Sequence, residues 1–256
     1  MTETLRARMR RGDILAGTFV KTPAHEMVEV LAMSGLDFIA LDAEHAPFDR
    51  GRLDACLAVA RALDFPTLVR VPAGTPDEIL KALDSGATGV VVPHVDSAEK
   101  AANVARWSRF GHGGRGFAGS TRWAGFASKP MAEVLKLTED TVVIAQIEEP
   151  EGVAAIDAIA GTEGIDGVFI GPADLSVCYG ATDMNSPDLK DAMRRVGAAA
   201  NAKGAAYVTF APNTASAREL SAIGVTMFFI ASEHAFMLAG ARQVAADLHE
   251  LPEEGR

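Results

Sequence analysis

The chain has 256 residues, 48% of them hydrophobic and 23% charged, with 34 Asp and Glu against 24 Lys and Arg. That length and apolar content support a large buried core without disulfide or metal staples, and they exclude a disordered chain. A net charge of −10 excludes the concentrated basic face that nucleic acid requires. Cys56 and Cys178 show neither CxxC nor ligand spacing, which suits a reducing compartment. The N-terminal run Met-Thr-Glu-Thr-Leu-Arg-Ala-Arg is too charged for a signal sequence, and no apolar run reaches the roughly 18 residues of a membrane span. The expectation is a single domain over residues 1–256, cytoplasmic, with no membrane or nucleic-acid partner.

Short apolar strands alternate with amphipathic helices along the whole chain. A strand at Gly17–Lys21 precedes a helix at Pro23–Ser34, with Thr22 as its expected N-cap and Pro23 at the first helical position. Asp37–Asp42 is a nearly continuous apolar run of the kind buried on both faces of a parallel sheet. Helix Arg52–Leu63, strand Pro66–Val71 and a helix opened by Thr75-Pro76-Asp77-Glu78 follow; the last reads as a capping box. Strand Gly89–Val95 and helix Ala98–Arg109 lead into an insertion at about 110–129 and a short helix at Met131–Leu137. The remaining strands are Thr141–Glu149, Gly167–Gly171, Ala206–Phe210 and Val225–Ala231. Helices Gly152–Ala160, Asp188–Lys203 and Thr214–Ile223, with a C-terminal one from His234, fill the intervals. Eight β/α units in about 250 residues predict a (β/α)8 TIM barrel; a doubly wound sheet usually stops at five or six strands.

A barrel carries its chemistry at the C-terminal ends of its strands. Five predicted strand ends there are polar: Asp42-Ala43-Glu44-His45, Arg70, Gln146-Ile147-Glu148-Glu149, Gly171-Pro172-Ala173-Asp174 and Thr209-Phe210. Alternation puts Gln146 and Glu148 on one face and turns Glu149 away. Glu148 and Asp174, at the mouths of sequential strands and without soft ligands, suit Mg2+ or Mn2+. The same pair also reads as carboxylates neutralised by Arg70. His45 alone reads equally as a loop histidine or a base.

Leu41-Asp42-Ala43-Glu44-His45-Ala46-Pro47, Val69-Arg70-Val71-Pro72, Arg115-Gly116-Phe117-Ala118-Gly119-Ser120, Gln146-Ile147-Glu148 and Gly167-Val168-Phe169-Ile170-Gly171-Pro172-Ala173-Asp174-Leu175-Ser176 together resemble the HpcH/HpaI aldolases, in order and over nearly the whole chain. The resemblance implies a class II pyruvate aldolase dependent on a divalent cation (Mg2+, Mn2+ or Co2+), making and cleaving 4-hydroxy-2-oxo acids from a 2-oxo acid and an aldehyde. It implies Glu148 and Asp174 as metal ligands, and Gln146, Arg70, Asp174 and the backbone of Ala173 as substrate contacts. It makes His45 the base, Arg70 the stabiliser of developing negative charge, and Asp84 the residue that raises the basicity of the histidine. A homohexamer, a trimer of dimers, is implied as well.

Residue chemistry agrees, since removing a C3 proton from pyruvate needs charge stabilisation at its keto oxygen and a base that titrates near neutrality. Lys21 is the one lysine at a strand end and keeps a Schiff-base alternative open. Asp84 lies late in a helix that descends away from the mouth, so a histidine partner is expected in an adjacent subunit; Asp84 also reads as a helix-end solvating group. Gly111-His112-Gly113-Gly114-Arg115-Gly116 matches GxGxxG but follows a helix, so no dinucleotide site is expected. The segment is read as a mobile loop near the site carrying Arg115 and Arg122, with structural packing as the other reading for both arginines. His94, His112 and His234 have no ligand spacing, and Phe210 is a candidate wall of the donor pocket. Val177-Cys178-Tyr179 is bulky, leaving pyruvate and hydroxypyruvate both open as donor. Alternatives are an oxaloacetate decarboxylase or citrate-lyase-like enzyme sharing the enolate step, and a barrel that binds oxo acids without turnover.

Overall fold

A computed structural model describes residues 3–251. Eight parallel strands close into a barrel in chain order: β1 (Leu15–Val20), β2 (Phe38–Asp42), β3 (Thr67–Arg70), β4 (Gly89–Val92), β5 (Val142–Ile147), β6 (Gly167–Ile170), β7 (Ala206–Ala211) and β8 (Met227–Ser232). Around them run α1 (Leu5–Arg11), α2 (His25–Ala32), α3 (Arg50–Ala62), α4 (Pro76–Asp84), α5 (Ala98–Trp107) and α6 (Met131–Leu137). The second half adds α7 (Pro150–Ala154), α8 (Ile156–Ala160), α9 (Pro172–Cys178), α10 (Pro187–Lys203), α11 (Thr214–Ser221) and α12 (Glu233–His249). The chain is a (β/α)8 barrel, as its periodicity predicts. None of the described helices is long and apolar enough to cross a membrane.

Alternation along each strand divides the core in two. Ile39, Leu41, Val69, Val90, Val143, Ala145, Ile147, Val168 and Ile170 face outward and pack against the helices. Leu15, Phe19, Phe38, Ala40, Leu68, Val91, Val142, Ile144, Phe169, Val208 and Phe229 fill the interior. Gly17 permits this filling, because a Cβ there would stand 2.4 Å from the Phe38 ring. Continuing the inward parity past these apolar layers gives Asp42, Arg70, Gln146 and Glu148, all buried. The fold thus aims its polar residues into the C-terminal mouth.

Two elements escaped the periodicity. Helix α1 closes the opposite end, with Leu5 and Met9 joining the interior cluster. Helix α9 begins immediately after β6, with Gly171 as N-cap and Pro172 in the first turn. Helix α2 begins later than its apparent cap: Ala24 is the N-cap, and Thr22 instead places Oγ1 2.8 Å from His234 Nε2. The helix expected at Gly152–Ala160 is broken at Ala155 into α7 and α8. The capping residue of α4 is as expected, Thr75 Oγ1 accepting from the Glu78 N–H.

The 110–129 insertion packs at the end of its own barrel opposite the mouth, so it is not a loop near the site of its own chain. Trp123 borders a 550 Å3 cavity with Pro66, Thr67 and Thr88, which lie at or just before the N-terminal ends of β3 and β4. The Arg115 side chain is fully buried, its guanidinium 4.7 Å from the Phe110 ring centroid and 4.6 Å from that of Trp123. It donates to Asp84 Oδ1 through Nε at 3.1 Å and Nη2 at 2.5 Å. Arg122 pairs with Asp54 at 2.6 Å and lies over Phe126. Both arginines tie the insertion to its own barrel.

Candidate active site

The C-terminal mouth is organised around Asp42, the last residue of β2. Its register partner on β3 is Arg70, whose guanidinium forks onto it with Nε–Oδ1 at 3.0 Å and Nη2–Oδ2 at 2.8 Å. Lys21 Nζ donates to Oδ2 at 2.8 Å, and the backbone N–H of His45 donates to Oδ1 at 3.1 Å. Burial alone would raise the Asp42 pKa, but Arg70, Lys21 and the His45 N–H outweigh it and hold the carboxyl at about 2. Arg70 is thereby fixed over the Phe19 ring at 4.5 Å from its centroid. Lys21 is committed to the same carboxylate, which is the geometry of a counter-ion rather than a nucleophilic amine.

Glu44 and Glu148 add two further carboxylates, an oxygen of one within 4.8 Å of an oxygen of the other. The Glu44 side chain is 9% exposed, and its Oε2 lies 3.3 Å from Arg70 Nε but accepts no hydrogen bond. Burial raises its pKa, and the Glu148 charge adds to that against the opposing effect of Arg70. Glu148 is buried and accepts from the His94 N–H at 2.7 Å and from Gln146 Nε2. Gln146 Oε1 is buried and unpartnered. Gly171 separates Glu148 from Asp174: the place of a Cβ on it would be 3.5 Å from Glu148 Oε2 and 3.6 Å from Asp174 Oδ2. Any side chain at 171 would crowd the space between the two carboxylates.

The structure brings Arg70, Gln146, Glu148, Ala173 and Asp174 to one mouth. Of these, Arg70, Gln146, Ala173 and Asp174 line a 400 Å3 cavity with Phe19, Phe169 and Phe210. Phe210 walls that cavity, as its place at the end of β7 predicts. His45 is mostly exposed on the β2–α3 loop, its Nε2 3.7 Å from Glu44 Oε2. Asp84 is not at this mouth: it ends α4 and is engaged by Arg115. Its own His45 is not its partner, in line with the descent of α4.

Sequence reasoning passed over His94 as a ligand and gave Asp42 and Glu44 no role. His94 follows β4, which ends at Val92 rather than Val95. Its ring Nδ1 lies 2.6 Å from Glu149 Oε1 and 3.0 Å from Glu148 Oε1, and its Nε2 is 3.8 Å from Glu44 Oε1. Burial lowers the His94 pKa, yet the facing carboxylates of Glu149, Glu148 and Glu44 raise it overall. Glu149 does not turn away as strand alternation suggests, because β5 ends at Ile147. A signal was present: Pro93-His94 is polar sequence directly after an apolar strand.

The available donors are carboxylate and amide oxygens with one imidazole, and Glu44, His94 and Glu148 each place a ligand atom within 4.8 Å of the others. Such a set fits a divalent cation. The buried Gln146 Oε1, which has no hydrogen-bond donor, is the kind of oxygen expected of a group awaiting a further partner.

Comparison with known proteins agrees with this fold. Residues 15–247 match the family model of HpcH/HpaI aldolase/citrate lyase. The chain is 31% identical over 255 residues to a hydroxypyruvate/pyruvate aldolase of Paraburkholderia phytofirmans, covering 96% of this chain and 98% of that one. It superposes with a TM-score of 0.91 and 32% identity on a crystal structure of an HpcH/HpaI aldolase/citrate lyase family protein from Burkholderia cenocepacia, covering 96% and 99% of the two chains. A citrate synthase, SbnG, superposes with a TM-score of 0.86 and 29% identity over 96% of this chain and 98% of its own. The barrel, the polar mouth and these matches place the chain in the HpcH/HpaI aldolase/citrate lyase family of enzymes.

Proposed function

We propose that the chain is a divalent-metal-dependent carbon–carbon lyase that forms the enolate of pyruvate or hydroxypyruvate and adds it reversibly to an aldehyde. The observation that carries this reading is the pair of carboxylates, Glu148 and Asp174, facing each other across Gly171 beside Arg70 and Gln146. Glu148 and Asp174 would hold Mg2+, Mn2+ or Co2+, and the ion would supply Lewis-acid polarisation of the 2-oxo acid. Arg70, fixed by Asp42, adds permanent positive charge where negative charge develops on the keto oxygen. Gln146 and the backbone of Ala173, in the first turn of α9 where N–H groups lack helical acceptors, orient the donor. His45, held at its backbone by Asp42, takes the C3 proton from the donor and returns a proton to the alkoxide formed when C3 bonds to the aldehyde carbon.

The resemblance to the Paraburkholderia phytofirmans hydroxypyruvate/pyruvate aldolase supports this donor class. The likeness to a citrate synthase favours a second reading, in which the same enolate meets another electrophile or arises by decarboxylation of oxaloacetate. Loss of the pyruvate methyl proton signal in D2O tests the first reading without any acceptor. Exchange should require added Mg2+, Mn2+ or Co2+ after chelation and disappear in Glu148→Ala. Exchange from neither pyruvate nor hydroxypyruvate, together with turnover of oxaloacetate, would favour the second reading. Binding of a 2-oxo acid without exchange or turnover would leave a non-catalytic barrel.

The assembly proposed is a homo-oligomer, with a hexamer implied by family resemblance. Helix α12 buries only Glu233 and exposes Phe236, Met237, Leu238, Val244 and Leu248. Helix α11, which precedes β8, has no buried residue. A helix that exposes this many apolar side chains to solvent is the arrangement expected of a surface covered by a second copy. Asp84 would then reach His45 only across a subunit boundary. Light scattering on Leu238→Glu should show smaller particles, and full activity in a monomer would end the intersubunit role of Asp84. The free Cys56 and Cys178 fit a reducing, cytoplasmic setting.

A further inference from the structure

We propose that the aldehyde acceptor is a neutral one with an extended apolar tail, held in a groove that leaves the reaction cavity between α9, α10 and α11. The inference deepens the lyase reading and rests on it for the identity of the reaction. The 400 Å3 cavity at the mouth and a second cavity of 1060 Å3 share Pro172, Ala173, Met184, Phe210 and Pro212 as walls. The larger one extends from these along Leu189 and Met193 of α10 and Leu220 of α11 to Ile223. Space on this scale suits a whole small-molecule ligand, and neither pyruvate nor a short aldehyde would fill it.

The lining sets the chemistry of the tail. Leu189 and Met193 are buried and Leu220 packs against the outer core, so the floor is apolar. Val177, Met184 and Ile223 nonetheless stay 74%, 43% and 38% exposed along it. Large apolar side chains grouped beside a polar site mark a place where apolar ligand surface leaves water. Charge at the rim cancels, because Lys190 and Arg194 are offset by Asp183 and Glu219. Such a rim offers a carboxylate on the tail no net attraction. Continuity with the mouth makes the occupant the acceptor. Gln146 and Asp174, proposed for the donor, line only the smaller cavity, whereas Met184 and Phe210 line both. In the step itself, C3 of the donor enolate bonds to the aldehyde carbon and the carbonyl pair moves to its oxygen. That oxygen takes the proton that C3 released to His45. The product is a 4-hydroxy-2-oxo acid whose alkyl tail lies between α10 and α11.

Acceptor kinetics with straight-chain aldehydes from propanal to heptanal, at saturating pyruvate and Mg2+, test this on the full-length protein. Complete burial of one methylene gives about a fourfold gain, and a groove open to solvent should give about two- to threefold for each. Across the series kcat/KM should therefore rise at least about tenfold. The heptanal analogue that ends in a carboxylate should be a poorer acceptor than heptanal. Ile223→Glu and Ile223→Lys should both flatten the rise while leaving propanal turnover and pyruvate methyl exchange unchanged. The series on the unmodified protein decides the matter even where a variant folds poorly. A flat series, or preference for the carboxylate-ended analogue, with methyl exchange intact would overturn the proposal and leave the lyase reading standing. A rise that survives both substitutions would put the tail elsewhere and overturn it too. Dissociation of the Ile223 variants in light scattering would assign the groove to contact between copies, with the same consequence. Absence of methyl exchange in the unmodified protein would overturn both readings.

Discussion

Asp42→Asn is the sharpest test of how the mouth is held together. The carboxylate is wholly buried, and its pKa is lowered from an ordinary 3.8 to about 2. That difference makes the ionised form worth about 2.5 kcal/mol to the folded state. A depressed pKa adds stability that is fully present above the unfolded value and lost as pH falls through the folded one. The window is therefore pH 4 to pH 2. An amide in the same place turns a donor toward Lys21 or Arg70 and removes the charge that compensates both. Breaking a buried pair in this way costs about 3–5 kcal/mol at neutral pH. Urea unfolding of both proteins from pH 7 to pH 2 would measure the gap, and other titrating groups largely cancel in the difference. The gap should narrow by about 2 kcal/mol between pH 5 and pH 2. Pyruvate proton exchange should fall at least tenfold, on the order of what displacing one positioned charge stabiliser costs. A gap below about 1 kcal/mol at pH 7, or one that does not change with pH, would refute the assignment of Asp42 as the ionised anchor of Arg70.

Gly17→Ala places a methyl 2.4 Å from the Phe38 ring inside the barrel, and overpacking of this kind should cost about 1–3 kcal/mol; Phe38→Leu in the same chain should recover part of it in a thermal melt. Arg115→Met keeps an apolar stem against Phe110 and Trp123 but leaves Asp84 without its cation, so Tm should fall by roughly 4–10 °C from a loss of about 2–3 kcal/mol. Phe210→Ala opens the wall of the 400 Å3 cavity and should change the kcat/KM ratio of hydroxypyruvate to pyruvate by about tenfold, the scale of a reshaped apolar pocket. An unchanged donor ratio would remove Phe210 from the selectivity argument.

Most of the barrel was legible in the sequence because its strands are short, apolar and buried on both faces, as at Asp37–Asp42 and Gly167–Gly171. Strand parity was enough to put Gln146 and Glu148 on one inward face. What it could not give was anything more than one residue beyond the end of a strand. Drawing β4 to Val95 hid His94 inside an imagined strand, whereas the strand stops at Val92 and the backbone turns left-handed two residues later. The same error of extent sent Glu149 the wrong way. Helix α1 was missed because two apolar residues, Leu5 and Met9, though spaced for one helix face, are too few to establish a period. The insertion was misplaced for a different reason. Nothing local distinguishes an arginine reaching for an anion from one lying against the rings of Phe110 and Trp123; only the tertiary pairing with Asp84 decides it.

The electrostatics of the mouth connect these pieces. Asp42 takes the fork of Arg70 and the ammonium of Lys21, so the nearest fixed cations already face a buried anion. Glu44 shares only one nitrogen of Arg70, at 3.3 Å, and Glu148 rests on Gln146 and His94. Asp174 adds a further carboxylate across Gly171. A 2-oxo acid is itself an anion, and on these groups alone it would meet an excess of negative charge at close range in a poorly hydrated cavity. A divalent cation among the carboxylates reverses that sign and turns the same excess into affinity for the ion. On the proposed function, a divalent cation would make this acidic surplus coherent with an anionic substrate. Chelation should therefore weaken pyruvate binding itself as well as its turnover. Equilibrium dialysis of labelled pyruvate against chelated and Mg2+-restored protein would show this, and equal binding in the two states would refute the argument.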